Sequence, residues 1–156
     1  MKKKKSLREK GNAYQRWIRD WLQERGWTVR NFPMTSRPIM VPDEKHPGQK
    51  KMIWLPQNND VFGCDLIARK GGLILWIQSS LDDHITRRLD EFFKYFHNIG
   101  SWERLMIWIK REKWHSIKLV SVGSTGLMVV EDLGKIQVGK FTLARGVPDF
   151  TFGEKK

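Results

Sequence analysis

Cysteine is nearly missing from this chain. Cys64 is the only one in 156 residues, so neither an internal disulfide nor a cysteine-rich zinc site can form. No apolar run approaches the ~20 residues that cross a bilayer as a helix, which excludes a helical membrane protein. Lysines 2–5 look like the start of a signal peptide, yet no apolar stretch follows them. Phosphate-cradling glycine loops are missing as well. There is no Gly-x-Gly-x-x-Gly, no P-loop lysine motif and no Gly-x-Ser-x-Gly elbow. His46, His84, His97 and His115 lie scattered, without the spacing of zinc ligands. A cofactor enzyme is therefore not expected. Acidic residues are also scarce: 17 Asp and Glu face 29 Lys and Arg, a formal charge of +12.

What is present is enough for a core. Apolar residues make up 40% of the chain and aromatics 12%, with eight Trp and eight Phe, which rules out general disorder. The length fits one domain. The excess positive charge is concentrated early: residues 1–30 carry ten Lys and Arg against three acids, leaving +7. Basic residues interleaved with aromatics suggest a surface for a polyanion, with DNA the expected partner. The candidate contacts are Lys2, Lys3, Lys4, Lys5, Arg8, Lys10, Arg16, Lys50, Lys51, Arg87 and Arg88. A bland alternative is a solubilising tail followed by a solvated helix face. A membrane surface is not expected, because no segment pairs a basic face with a continuous apolar one. The expected location is cytoplasmic and nucleoid-associated.

Hydrophobic spacing organises the rest. Tyr14, Trp17, Ile18, Trp21 and Leu22 mark one face of a helix over 8–26, with Gly26 suited to its C′ position. That aromatic stripe reads as core. Residues 27–32 read as a strand. Residues 33–60, punctuated by five prolines, form an inserted flap in which 39–41 and 52–55 can pair as a hairpin. An excursion this long is functional or disordered. Two apolar runs then flank Gly71-Gly72, a two-residue hairpin signal, and both should be buried. A second helix over 81–99 follows, with Ser80 or Asp82 as N-cap and Gly100 as stop. Strands at 105–109 and 114–122, joined by the charged turn 110–113, lead to weaker strands at 127–130 and 136–143. Residues 123–126 read as a turn. The expected architecture is an α/β fold: a mixed β-sheet core flanked by helices over about 8–122. A basic arm (1–7), the flap (33–60) and a C-terminal β extension (123–156) complete a single domain.

With Gly71 and Gly72 as the turn, Asp65 stands opposite Gln78, and Ser80 follows two residues along on the same face. An Asp in an otherwise apolar strand is costly unless it is hydrogen-bonded, paired or metal-bound. Asp65, Gln78 and Ser80 are therefore the best candidates for an active site. The other reading is a capping network in which Asp65 collects backbone N–H groups near the next helix.

The order of motifs resembles the PD-(D/E)xK nuclease superfamily, and more narrowly the archaeal-type Holliday junction resolvases. Residues 10–16, Lys-Gly-Asn-Ala-Tyr-Gln-Arg, look like their first helix, and 63–68, Gly-Cys-Asp-Leu-Ile-Ala, like their metal-binding strand. Residues 76–80, Trp-Ile-Gln-Ser-Ser, stand where their acid-x-Lys strand belongs. The pair 106–110 and 114–117 resembles their last core strands. The resemblance implies a restriction-endonuclease-like fold, a homodimer, and Mg²⁺ or Mn²⁺ held by Asp65 and Gln78. It implies catalytic positions at Asp65, Gln78, Ser80 and Gln15. Of these four, only Asp65 keeps the family's residue. Gln15 and Gln78 replace carboxylates and Ser80 replaces the lysine. Phosphodiester hydrolysis in this family needs carboxylates around a hard cation and a positive group beside the attacking water. A glutamine brings no charge to a cation, and a serine none to the transition state.

The expected function is thus a DNA-binding protein for branched or structured DNA, built on a nuclease fold with a degenerate site. One alternative is an active magnesium-dependent endonuclease with a rebuilt site. In it Asp60, Asp82, Asp83 or Glu91 lends a carboxylate, Lys94 a cation, and His84 acts as base. A second is a structural or protein-interaction subunit.

Overall fold

The computed structural model describes residues 3–112, 114–122 and 128–137. Lys2, Lys113, the turn at 123–126, the start of the 127–130 strand and the 138–143 part of the last expected strand lie outside them. The first helix, α1 (Leu7–Gln23), starts at a capping box: the Ser6 hydroxyl accepts from Glu9 N–H (3.2 Å) while Glu9 Oε2 accepts from Ser6 N–H (2.7 Å). This satisfies two of the donors that every helix start leaves unpaired. At the other end Gly26, at φ +87°, lets Trp27 N–H return to Leu22 O (3.1 Å) and its own N–H to Gln23 O (3.0 Å). That pair closes the helix as expected from the sequence.

The strands are β1 (Thr28–Asn31), β2 (Thr35–Pro42), β3 (Lys50–Gln57), β4 (Leu66–Lys70), β5 (Leu73–Ser80), β6 (Glu103–Lys110), β7 (Trp114–Val122) and β8 (Met128–Gln137). Six form one sheet in the order β1-β4-β5-β6-β7-β8, while β2 and β3 form a separate two-stranded ribbon. The β4–β5 hairpin turns at Gly71-Gly72 with Leu66 opposite Ile77 and Lys70 opposite Leu73, the register the sequence predicts. The one parallel pair, β5 with β6, is linked by α2 (Ile85–Tyr95). A mixed α/β fold is what results.

The helices take opposite faces of the sheet. Tyr14, Ile18, Trp21 and Leu22 of α1 pack on Leu66, Leu75, Ile77 and Trp108. Phe92 of α2 and Phe96 just beyond it pack on Cys64, Leu105, Ile107 and Ile109. Burying each of these large side chains contributes about 1.5–3 kcal/mol, and β6, covered on both sides, is the centre of the molecule.

Two expectations are corrected. The second helix spans 85–95 rather than 81–99, because Ser80 and Asp82 do not cap it. They hold a turn before it, with the Ser80 hydroxyl donating to Asp82 O (2.8 Å) and Asp82 Oδ1 accepting from His84 N–H (3.0 Å). The helix ends five residues before Gly100, where Phe96 adopts extended backbone. The two weak C-terminal strands are, in the described residues, one continuous strand paired with β7 through a bulge at Ile117/Lys118.

Candidate functional site

Asp65 sits just outside the β4 ladder, at the end of the sheet where α1, the flap base and β5 approach each other. Its backbone is held on both sides: its N–H donates to Ile77 O (2.9 Å), and its carbonyl accepts from Phe32 N–H (2.7 Å). The chain reaches it through a tight two-residue turn. Val61 and Cys64 exchange both backbone hydrogen bonds (3.1 and 2.9 Å) around Phe62 (φ +51°) and Gly63 (φ +73°). Positive φ at both central residues is the type I′ arrangement, which favours Asn-Gly. A phenylalanine there is a strained choice.

That entry shifts what Asp65 meets. Its Oδ2 accepts two hydrogen bonds from Ser79, one from the N–H (2.9 Å) and one from the hydroxyl (2.8 Å). Ser79 follows Leu75 and Ile77 on the face covered by α1. Gln78 and Ser80 follow Trp76 onto the opposite face, toward α2. The expected convergence of Asp65, Gln78 and Ser80 on one face is therefore corrected: Asp65 pairs with Ser79. Beside the Phe62-Gly63 turn the aspartate is no longer in the antiparallel register that would align it with Gln78. Gln78 is closed off on its own side, its amide donating to Gly63 O and its Oε1 accepting from Arg88 (3.4 Å). Ser80 is spent on Asp82. Gln15 lies on α1, only 6% exposed, and its Oε1 has no hydrogen-bond partner.

The neighbour the sequence offered only as a rescue proves closest. Asp60, exposed and steadied by Asn58 (3.1 Å), is the neighbouring charge that acts most on Asp65. Burial above all, and then the Asp60 charge, push the Asp65 carboxyl up to about 7, against the two Ser79 bonds that favour its ionised form. Asp82 serves the turn, Asp83 pairs with Arg111, and Glu91 pairs with Lys94 (3.0 Å) on α2. His84 is exposed at the start of α2. The Cys64 thiol is pushed up by burial and is no nucleophile at neutral pH.

Two neighbouring carboxylates, one buried and reluctant to ionise, are hard oxygen donors of the kind a divalent cation takes. Asp60 and Asp65 are the residues that could hold such an ion. Gln78 does not join them, since it lies on the opposite face with its oxygen accepting from Arg88. Among the described residues no group of three or more His, Cys, Asp or Glu gathers at one point, and no lysine is bonded to either aspartate. Ser79 and the Phe62-Gly63 turn escaped the sequence reading. The Gly63 position was the available signal for the latter.

The basic residues fall into two groups. Lys3, Lys4, Lys5, Arg8 and Lys10 are exposed on and before α1, with Arg16 further along. They adjoin the flap, because Asn12 clamps Met34 through both of its amide atoms (3.0 Å each) and Arg8 donates to the Ser36 hydroxyl. Lys50 and Lys51 are exposed at the start of β3. Arg87 and Arg88 lie on α2, across the sheet, where Arg87 is exposed and Arg88 turns inward to Gln78. No described helix is long and apolar enough to cross a membrane. Comparison with known protein families and with curated proteins finds no match to this chain.

Proposed function

We propose that this chain is a DNA-binding protein on a restriction-endonuclease-like scaffold, acting on branched or structured DNA, with a reduced catalytic site. The observation that carries the reading is the docking of the flap onto the basic end of α1. It places Arg8 and the lysines of 3–10 beside one end of a ribbon whose other end bears Lys50 and Lys51. Such a surface favours phosphates, and each phosphate neutralised releases counterions. The order of elements, with Asp65 at the end of a strand beside β5, supports the scaffold. The partners of Gln78 and Ser80 support the loss of catalysis, since neither is free to position water or metal.

A labelled four-way DNA junction titrated with protein at rising salt tests this. Affinity is expected to fall steeply and log-linearly with salt, and the strands to stay intact in Mn²⁺. Affinity that is absent, or flat with salt, overturns the reading. A second reading, a magnesium-dependent endonuclease with a rebuilt site, is favoured by one feature, the Asp60–Asp65 pair. Mg²⁺ or Mn²⁺ bound there would supply Lewis-acid polarisation of a phosphodiester. Paired cuts abolished by Asp65→Ala and by Asp60→Ala would establish it.

A further inference from the structure

The β2–β3 ribbon carries an exposed apolar face that the core does not use. Cross-strand register puts Pro38 opposite Trp54 and Met40 opposite Met52 on one side of the ribbon. Met40, Met52 and Trp54 are 59%, 57% and 61% exposed. The other side, with Ile39 opposite Ile53, is half-buried. A ribbon of two strands gains little from leaving a Trp and two Met in water.

What covers that face is indicated by its surroundings. Ser36 lies on the same side of β2 as Pro38 and Met40, and its hydroxyl accepts from Arg8. The apolar face thus runs directly into the basic start of α1, while Lys50 continues it at the far end, opposite Pro42. An apolar strip flanked by cations at both ends complements a nucleic acid whose phosphates lie to the sides and whose bases face inward. Pro38 and Pro42 on β2, and Pro56 on β3, remove backbone donors that strand addition by another chain would need.

Resting on the DNA-binding reading, we propose that this ribbon is a stacking wedge for unpaired or unstacked bases, with Trp54 as platform and Met40 and Met52 as its apolar margin. Continuous duplex offers its base faces only after unstacking. Branch points and single strands offer them at little cost, so the wedge sets the preference for such DNA.

The test compares Trp54→Ala, Trp54→Phe and a Lys50→Ala/Lys51→Ala pair with the wild type. Each is measured by fluorescence anisotropy on a four-way junction, a single strand and a plain duplex of equal length. Trp54→Ala is expected to weaken junction and single-strand binding about ten-fold or more, in line with the stacking contribution of one base, and duplex binding less than two-fold. Trp54→Phe should restore most of the loss. The double lysine variant should weaken all three and flatten the salt slope. 2-Aminopurine placed at the junction centre should be quenched by the wild type and not by Trp54→Ala. Equal weakening on duplex and junction would overturn the wedge in favour of groove binding, and no change on any substrate would overturn it outright. A Trp54→Ala protein that sediments differently from the wild type would reassign the face to a second copy. Failure of the wild type to bind any of the three would fault the DNA-binding reading itself.

Discussion

Replacing Asp65 by Asn should make the folded protein more stable at neutral and alkaline pH. In the unfolded chain an Asp ionises near ~3.9, whereas in the fold burial and the Asp60 charge raise Asp65 to about 7. Between those values the native state holds a proton that the unfolded state has released. Stability therefore falls as pH rises from about 4 to about 7, then levels off. A gap of about three pH units corresponds to an upper bound of ~4 kcal/mol at pH 8. Asparagine is isosteric and has an oxygen that can accept both Ser79 hydrogen bonds, so it should remove that penalty while keeping the local geometry. Urea unfolding of wild type and Asp65→Asn from pH 4 to pH 8.5 reads the difference directly. The variant should gain a few kcal/mol at pH 8 and nothing at pH 4. A loss at pH 8, or a difference independent of pH, would refute the argument. Asp65 would then be an ordinary ionised carboxylate satisfied by Ser79, the capping-network alternative.

Other positions give equally direct tests. His115 is buried between Trp17, at 3.9 Å between ring centroids, and Tyr14, at 5.2 Å; burial, with Lys110 adding, pushes it down to about 4. Its unfolded value is higher, so it costs stability as pH falls through about 6.5 to 4, opposite in slope to Asp65. His115→Phe should flatten that acid limb in urea titrations, and an unchanged limb would contradict the assignment. Trp108→Ala, at the crossing of β6 with Trp17 and Trp21, should cost about 3–5 kcal/mol in the same assay; a loss below 1 kcal/mol would contradict its place in the core. Ser6→Ala removes one half of the α1 capping box and should cost about 1 kcal/mol, read as a small drop in melting temperature.

Much of this architecture was legible because local chemistry dictates it. The α1 stripe, Gly26, the Gly71-Gly72 turn and the 114–122 strand each follow from periodicity or from a backbone shape that glycine adopts far more readily than other residues. The flap is legible as a hairpin, since two short apolar runs, 39–41 and 52–55, flank a polar stretch that contains Pro47-Gly48. The site was legible only in part. Asp65 drew attention as a charge inside an apolar strand, and it is indeed buried. Its partners are not legible, because the ladder register ends at Leu66–Ile77 and Asp65, next to the Phe62-Gly63 turn, bonds to Ile77 O as well. The second helix was overextended, since Ser80 and Asp82 have cap chemistry but spend it on a turn of their own.

Legible in the amino-acid order were the first helix, the β4–β5 hairpin register, most of the strands and the concentration of positive charge, all properties of neighbours along the chain. Only the tertiary structure decided which side of the sheet each helix covers. Folding alone put Ser79 on Asp65, committed Gln78 to Arg88, and joined the basic end of α1 to the open face of the ribbon. The reason is physical. Periodicity tells which residues seek burial, but a carboxyl's partners and its proton affinity depend on which donors and charges the fold brings beside it and how far it shuts out water.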